Sequence, residues 1–251
     1  MREEQTTKRS MTASSAAEIV ESFQAARRNQ DVEGLQRILH PVWSAKRAAP
    51  AGRAEVEERA SFIRRAMTIA PEIDDRVITS VQICHPEFAV VRADDWTACS
   101  TSIFLLLVDK TGWRIVGEAW AGAAVGERDA RFASRMEEGA ALQVLEQYYR
   151  AVTDGDPQFL RRIFAPIWQM KNHENGEIVS EGTDAFVARI DQGPLPGYWD
   201  DRQISDVQIV SGRLAFARVD RPSTPSTTVF LFMKIAGDWL IIDKVWSVGR
   251  A

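Results

Sequence analysis

The spacing of apolar residues changes along the chain from a helical period to a strand-like period, and then repeats that change. Apolar positions between residues 16 and 38 form two stripes at helical spacing, and the polar run at 29–31 predicts a break between two helices. Residues 141–152 have the same helical spacing. Asp156 followed by Pro157 predicts the start of another helix, since aspartate is a favoured N-cap and proline a favoured first helical residue.

Short β-branched and aromatic runs follow each pair of helices. Turn residues such as those at 109–112 separate these runs, which is typical of consecutive strands in an antiparallel sheet. The predicted strands of the first half are residues 77–84, 88–93, 101–108 and 113–120, and a third helix is predicted at 54–66 and again at 183–190.

The two halves of the chain share motif residues as well as patterns. The motifs return at one fixed offset, that from Trp120 to Trp246, as Val81-Gln82-Ile83 and Val207-Gln208-Ile209, Phe104-Leu105 and Phe230-Leu231, and Trp113-x-Ile115 and Trp239-x-Ile241. An offset of this length is too long for a solenoid repeat and suits a whole small domain. The sequence therefore predicts two copies of one fold.

Composition agrees with two ordinary cores. The chain has 251 residues, 45% of them hydrophobic and 26% charged, and its net charge of −4 provides no basic field for nucleic acid. Apolar runs are too short to span a bilayer, and the polar start has no apolar segment of the kind that a secretion signal needs. We therefore expect a cytoplasmic protein that binds neither nucleic acid nor membrane.

The pattern also predicts where the domains begin and end. Residues 1–15 are expected to form a disordered tail, and 122–138, rich in Gly, Ala and charge, a linker. The two domains would then span residues 16–121 and 139–251. Helices followed by consecutive strands predict an α+β fold, with the helices packed on one face of a sheet.

The order of motifs resembles that of the nuclear transport factor 2-like superfamily. The matching features are His40-Pro41-x-Trp43, Ser80-Val81-Gln82-Ile83, the hairpin ending at Gly112-Trp113 and the closing Trp120. The chain is most similar to the SnoaL-like and lumazine-binding branches. The resemblance implies two tandem cone-shaped domains, each with three helices packed on a strongly curved antiparallel sheet and an apolar pocket at the wide end. It also implies that the two domains pair through their outer sheet faces as an intramolecular pseudo-dimer.

Three residues are candidates for acid–base catalysis. The resemblance implies that Trp120 and Trp246 line the pockets, and strand alternation then directs Glu118 and Lys244 into the same pockets. A carboxylate against apolar walls has a raised pKa and can transfer protons near neutral pH. His40, at the pocket edge, is a third candidate. The alternatives are a solvated rim position for Glu118 and Lys244 and a helix-capping role for His40.

Five further residues are candidates for binding substrate. Trp43 with Lys46, and Trp168 with Lys171, occupy equivalent positions where each helix pair ends, and an aromatic ring near a cation can hold a planar anionic ligand. Trp199 lies in a loop that could cover the second cone. The alternative is that both tryptophans fill the core beneath the helices while their lysines face water.

The sequence lacks the motifs of several reaction classes. Metal-ligand spacing, a glycine-rich phosphate loop and a Ser-His-Asp order are missing, and the strand at 101–104 has hydroxyls where ketosteroid-isomerase-like relatives carry a carboxylic acid. Any catalysis is therefore expected to need no cofactor and no metal. The resemblance implies an enzyme similar to polyketide cyclases, isomerases or dehydratases, acting on an aromatic or conjugated small molecule. A non-catalytic binding protein for an aromatic or pteridine-like metabolite and a protein–protein scaffold are the alternatives.

Overall fold

Within the residues that the structure describes, each half of the chain contains three helices and six strands. A computed structural model describes residues 12–48, 53–68, 75–122, 133–174, 177–193, 195 and 201–248. In the first half the elements are α1 (Ala13–Arg28), α2 (Val32–Ile38), β1 (Leu39–Ala48), β2 (Ala54–Glu58), α3 (Arg59–Thr68), β3 (Val77–His85), β4 (Phe88–Asp95), β5 (Ser100–Asp109) and β6 (Gly112–Gly122).

The second half repeats this order without change. Its elements are α4 (Ala133–Asp154), α5 (Pro157–Ile163), β7 (Phe164–Glu174), β8 (Glu177–Gly182), α6 (Thr183–Asp191), β9 (Gln203–Ser211), β10 (Leu214–Arg221), β11 (Ser226–Ile235) and β12 (Asp238–Val248). As predicted, the Asp156 side chain caps α5 and Pro157 is in its first turn.

The two sheets have the same topology. The strand orders are β2-β1-β6-β5-β4-β3 and β8-β7-β12-β11-β10-β9. Each sheet is mixed, because β1 pairs with β6, and β7 with β12, in parallel, while the other neighbours are antiparallel. The sequence predicted antiparallel pairing only. The motif His40-Pro41-Val42-Trp43 lies in an irregular part of β1, where a proline without an N–H is tolerated.

The edge strand β2 is the main difference from the predicted elements. Residues 54–66 were predicted as a helix, but residues 54–58 pair with β1 and only the helix α3 follows. Backbone pairing with β1 overrides the local preference, and ion pairs from Arg47 to Glu55 and from Arg65 to Glu57 hold the strand.

The ends of the predicted domains fall partly outside the described residues. The expected tail lies outside them up to Met11, and Thr12 caps α1 at its start. Most of the expected linker also lies outside them, and α4 begins before the predicted domain start at residue 139. Within the described ranges, no helix is long and apolar enough to cross a membrane.

One face of each sheet packs on its own helices. In the first half, Phe23, Leu35 and Phe62 from the helices meet Phe104 and Leu106 from β5. In the second half the corresponding cluster joins the helices α4, α5 and α6 to Phe230 and Phe232 of β11. We call these two interiors the first cone and the second cone.

The opposite faces of the two sheets pack against each other. This third cluster contains Leu105 and Leu107 from the first sheet and Leu231 and Met233 from the second. Strand alternation accounts for the division, since neighbouring residues of β5 and β11 point to opposite faces. The surface between the sheets, hereafter the sheet interface, therefore has a buried apolar cluster of its own.

Candidate functional site

The second cone contains a buried amine. Lys244, on β12, is 5% exposed, and its Nζ lies 3.0 Å from the hydroxyl oxygen of Tyr148 on α4. The Nζ also lies 5.4 to 5.9 Å from the ring centroids of Tyr148, Phe186 and Phe230. Burial lowers the pKa of Lys244 to about 7, and the positive charge of Arg189 adds to this effect. At neutral pH the amine is therefore present in both its charged and its neutral form.

A third polar group of the second cone is the indole of Trp246. This residue lies two positions after Lys244 on the cone face of β12 and packs against the cluster of the second cone. Its Nε1 is buried and has no hydrogen-bond acceptor among the described residues. An indole N–H without an acceptor is a donor that a ligand can use, since leaving it unpaired costs about 1–3 kcal/mol.

The first cone has a different set of polar groups. Glu118 occupies the position equivalent to Lys244, and its Oε1 accepts hydrogen bonds from Arg76 at 2.6 Å and from Ser102 at 3.2 Å. The Arg76 guanidinium also donates to Ser102 and lies 5.3 Å from the ring centroid of Phe104. The first cone thus holds a buried ion pair and the second cone a buried amine.

The partner of Glu118 changes its expected chemistry. The sequence predicted a carboxylate against apolar walls, which would favour the protonated form. The structure instead places the Arg76 guanidinium at 2.6 Å and the Ser102 hydroxyl at 3.2 Å from this carboxylate. The Glu118 carboxylate is therefore paired with polar groups and not surrounded by apolar side chains alone.

Lys46 and Lys171 lie in the sheet interface and not at the mouths of the cones. Both are fully buried, and both donate to the single carboxylate of Asp243, Lys46 at 2.7 Å and Lys171 at 3.2 Å. The Lys46 ammonium also donates to the carbonyl oxygen of Ile242 at 2.8 Å. Ile242 is the extra residue of a bulge in β12, and its carbonyl is therefore available to a side chain.

The group formed by Lys46, Lys171 and Asp243, hereafter the lysine cluster, carries more positive than negative charge. The position of the first half equivalent to Asp243 is Gly117, so one carboxylate faces two lysines. Burial lowers the pKa of Lys46 to about 7; Asp243 opposes this shift and Lys171 adds to it. Lys46 thus loses its proton near neutral pH, and the net positive charge of the lysine cluster is removed.

Trp43 and Trp168 fill the cores beneath the helices. Trp43 is fully buried against Phe62, and Trp168 stacks on Phe164 at a centroid distance of 4.2 Å. This is the core-filling alternative of the sequence analysis for the two rings. Each tryptophan is separated from its lysine by the sheet, so neither pair forms the joint ligand site that was predicted. Trp199, the predicted lid residue, lies outside the described residues.

His40 lies in neither cone. Its Nδ1 accepts a hydrogen bond from the backbone N–H of Val42 at 3.2 Å, so the proton of the neutral ring is on Nε2, which lies 3.9 Å from a carboxylate oxygen of Asp109. Burial lowers the pKa of His40, and Asp109 offsets part of this effect. The imidazole lines a surface cleft of about 400 Å³ where the first half meets β8 of the second half.

Sequence reasoning missed two polar residues of these sites, namely Arg76 and Asp243. Arg76 lies just before a strand and outside the repeated motifs, whereas Tyr148 lies in the apolar stripe of α4 at a position where an inward hydrogen bond is expected of either Tyr148 or Tyr149. Asp243 had a detectable signal, because a charged residue in one copy stands at the position of a glycine in the other. Among the described residues, no group of three or more His, Cys, Asp or Glu side chains is arranged to hold a metal ion.

Comparison with known proteins gives a family match for the second half of the chain. Residues 136–247 match a family model described as "Putative lumazine-binding". No curated protein matches the chain.

Solved structures match about half of the chain each. An NTF2-like protein of unknown function from Silicibacter pomeroyi is 26% identical, with 44% of this chain and 94% of that chain covered and a TM-score of 0.39. One from Shewanella baltica is 21% identical, with coverage of 46% and 96% and a TM-score of 0.40. One from Methylobacillus flagellatus is 20% identical, with coverage of 45% and 91% and a TM-score of 0.38.

The first half lies outside the family match but repeats the element order and strand order of the matched half. The motifs and their fixed offset give the same relation between the halves in the sequence. The two halves are therefore two copies of one fold, and the second copy is similar to the family described as "Putative lumazine-binding".

Proposed function

We propose that the protein binds a small conjugated molecule in the second cone, against Lys244, Tyr148 and Trp246. The observation that carries this proposal is the placement of the Lys244 amine, which is buried among aromatic rings and 3.0 Å from a tyrosine hydroxyl. Aromatic walls with a few convergent polar groups are the usual composition of a small-molecule site.

The family description supports a ligand class. Lumazine, which that description names, is a planar ring system whose edge carries carbonyl oxygens and ring nitrogens. Aromatic side chains favour contact with the faces of such rings. The amine of Lys244, the hydroxyl of Tyr148 and the indole N–H of Trp246 provide donors for its edge.

The lowered pKa of Lys244 supports acid–base chemistry on the bound molecule. A group with a pKa of about 7 can both accept and donate a proton at neutral pH, and such groups contribute about 10²–10⁴-fold to a rate. In this proposal Lys244 transfers a proton at a carbon or oxygen next to a carbonyl group, and Tyr148 donates a hydrogen bond to the charge that develops. A cofactor-free isomerase, cyclase or lyase would work in this way.

Binding without chemistry is the second candidate function, and the Glu118–Arg76 pair favours it for the first cone. The carboxylate and the guanidinium balance each other's charge at 2.6 Å, which suits fixed polar recognition. A ligand of the first cone would be held by the hydrogen bonds of this pair, without proton transfer.

Ligand binding can be tested with lumazine as the probe. Lumazine is expected to quench tryptophan fluorescence with one site per chain, and Lys244→Met and Trp246→Phe are expected to weaken its affinity at least about tenfold. Lys110→Met is the control, since this exposed lysine of the first half is paired with Glu177 outside both cones. Equal affinity in the wild type and Lys244→Met would rule out the second cone as the site.

Catalysis can be separated from binding with the natural ligand. Native mass spectrometry of the protein taken from a metabolite-rich cell extract would identify a bound molecule. Prolonged incubation of that molecule with the wild type should convert it, and Lys244→Met should slow conversion about 10²-fold or more. Recovery of the molecule unchanged would leave binding as the function of the second cone.

A further inference from the structure

A cleft outside both cones has the composition of an anion site. It has a volume of about 400 Å³ and is lined mainly by the first half, with Glu177 and Ile178 of β8 closing one side. Its polar lining includes His40 from β1, Arg59 at the start of α3, and Arg114 from β6. We call it the junction cleft.

Most charges of the junction cleft are balanced. Arg114 lies 3.4 Å from a carboxylate oxygen of Asp109, and the exposed Lys110 and Glu177 pair at 2.9 Å. Hydrogen bonds from Thr111 and the charge of Arg114 lower the pKa of Asp109 despite its partial burial, so this carboxylate stays ionised. The cation left over is Arg59, since His40 is neutral at pH 7.

Arg59 has unused hydrogen-bonding capacity. One terminal nitrogen donates to the backbone carbonyl of Gln36 at 2.8 Å. Its Nε is buried and has no acceptor among the described residues, and no carboxylate of that part of the chain lies within ion-pair distance. A buried, charged donor without an acceptor is costly, and an oxyanion would remove that cost.

A second guanidinium adds to the positive potential of the cleft. Burial, together with the nearby charge of Arg114, disfavours the protonated form of Arg59 and lowers its pKa. Two guanidinium groups on one cleft repel each other, and an oxyanion that contacts both would convert this repulsion into attraction.

The polar lining is specific to the first copy of the fold. The residues of the second copy equivalent to Asp109 and Arg114 are Ile235 and Leu240, and Ala165 stands in the place of His40. Both copies fold with the same strand order, so the fold itself does not require these polar groups. Their presence in one copy alone points to a ligand.

We propose that the junction cleft binds a small oxyanion, the phosphate or carboxylate group of a metabolite, through Arg59 and Arg114. The site is separate from the cones, and it includes β8 of the second half in its wall. Occupation would therefore also strengthen contact between the halves at this edge of the molecule.

The proposal can be tested by calorimetric titration with inorganic phosphate and, separately, with malonate, at constant ionic strength set with chloride. The full-length wild type should bind one of these probes at one site per chain, with a dissociation constant below about 10 mM. The stronger probe tells whether the site prefers phosphate or carboxylate.

Four variants locate the site. Arg59→Gln removes the unpaired donor, and Arg114→Leu installs the residue of the second copy; each should weaken binding at least about tenfold. Arg47→Gln is the matched control, because Arg47 is an exposed cation on β1 that is paired with Glu55. Circular dichroism and melting temperature establish that each variant is folded, and Arg59→Lys, which keeps the charge, should retain part of the affinity.

Two results would overturn the proposal. One is a wild type that binds neither phosphate nor malonate up to about 10 mM. The other is folded Arg59→Gln protein that binds the probe as tightly as the wild type does, since binding would then occur elsewhere.

Discussion

At the residue scale, the two lysines with lowered pKa values are the most distinctive groups of the molecule. Lys46 and Lys244 both have a pKa of about 7 because burial disfavours the ammonium form. In the unfolded chain a lysine has a pKa of about 10.4. Between pH 7 and about 10.4 these two lysines therefore bind more protons in the unfolded chain than in the folded protein, and their contribution to stability rises with pH in that window.

This linkage predicts an unusual pH profile of stability. The free energy of unfolding, from urea titrations, should increase from pH 7 to pH 9.5, by at most about 1.4 kcal/mol per pH unit for each lysine. Lys244→Met should reduce the slope, because one of the two groups is removed. Equal slopes for the wild type and Lys244→Met would show that the Lys244 amine keeps an ordinary pKa.

Residue identity alone could not place these lysines. Lysine is almost never fully buried unless paired, so a position in water or at a pocket mouth was the expectation for Lys46 and Lys171. Their burial depends on Asp243, which lies far along the chain and reaches them only after the sheets pack. The burial of Trp43 and Trp168 was foreseen as one of two alternatives.

At the element scale, the bulges of β6 and β12 explain why the lysine cluster forms. The extra residues Val116 and Ile242 shift strand alternation by one position. The residues that follow them, Gly117 and Asp243, consequently face the sheet interface, while Glu118 and Lys244 face the cones. One bulge in each copy thus directs one of two neighbouring residues to the sheet interface and the other to the cone.

Gly117 and Asp243 occupy equivalent positions of β6 and β12. The carboxylate can therefore be moved from one strand to the other by mutation. Asp243→Asn should destabilise the protein by about 3–5 kcal/mol, because two buried lysines lose their only carboxylate in the cluster. Adding Gly117→Asp to that variant should recover part of the loss, since it places a carboxylate beside Lys171, whose Nζ lies 3.1 Å from the position of the new Cβ and has to shift by a few tenths of an ångström.

Asp238→Asn, at the exposed start of β12, is the control for this exchange and should change stability by less than about 0.5 kcal/mol. Unfolding in guanidinium chloride measures all four proteins. If the double variant is no more stable than Asp243→Asn, the two strands are not equivalent at this position.

Most helices and strands were predicted from the sequence, because the spacing of apolar residues and the turn residues are set by neighbouring positions. The pair of helices at the start of each half, the four consecutive strands and the cap at Asp156 all follow from nearby residues. Two features do not. The edge strand β2 is fixed by pairing with β1, and the parallel pairing of β1 with β6 joins segments about 70 residues apart, for which the sequence carries no local signal.

At the scale of the whole molecule, the two halves share a core that is built from both sheets. Leu105 and Leu107 of one half meet Leu231 and Met233 of the other, and Ser44 donates to Gln169 across the interface at 2.8 Å. We infer that the halves pair as the subunits of a homodimer would, so the chain should be monomeric in solution.

Separated halves should behave differently from each other. A dimer of the second half (133–248) would match two Lys171 side chains with two Asp243 carboxylates, whereas a dimer of the first half would bury two Lys46 side chains with Gly117 at the carboxylate position. Light scattering should therefore find a stable dimer for the second half only. A monomeric second half, or an equally stable dimer of the first half, would contradict this account of the interface.

The most direct test of the account is the charge state of Lys244 itself. In a heteronuclear NMR titration of the side-chain signals of the six lysines, two should titrate near pH 7, and one of these two should be missing in Lys244→Met. That result would establish an amine that titrates near neutral pH inside the second cone. Titration of all six lysines near pH 10.4 would contradict the claim and remove the basis for acid–base chemistry at this site.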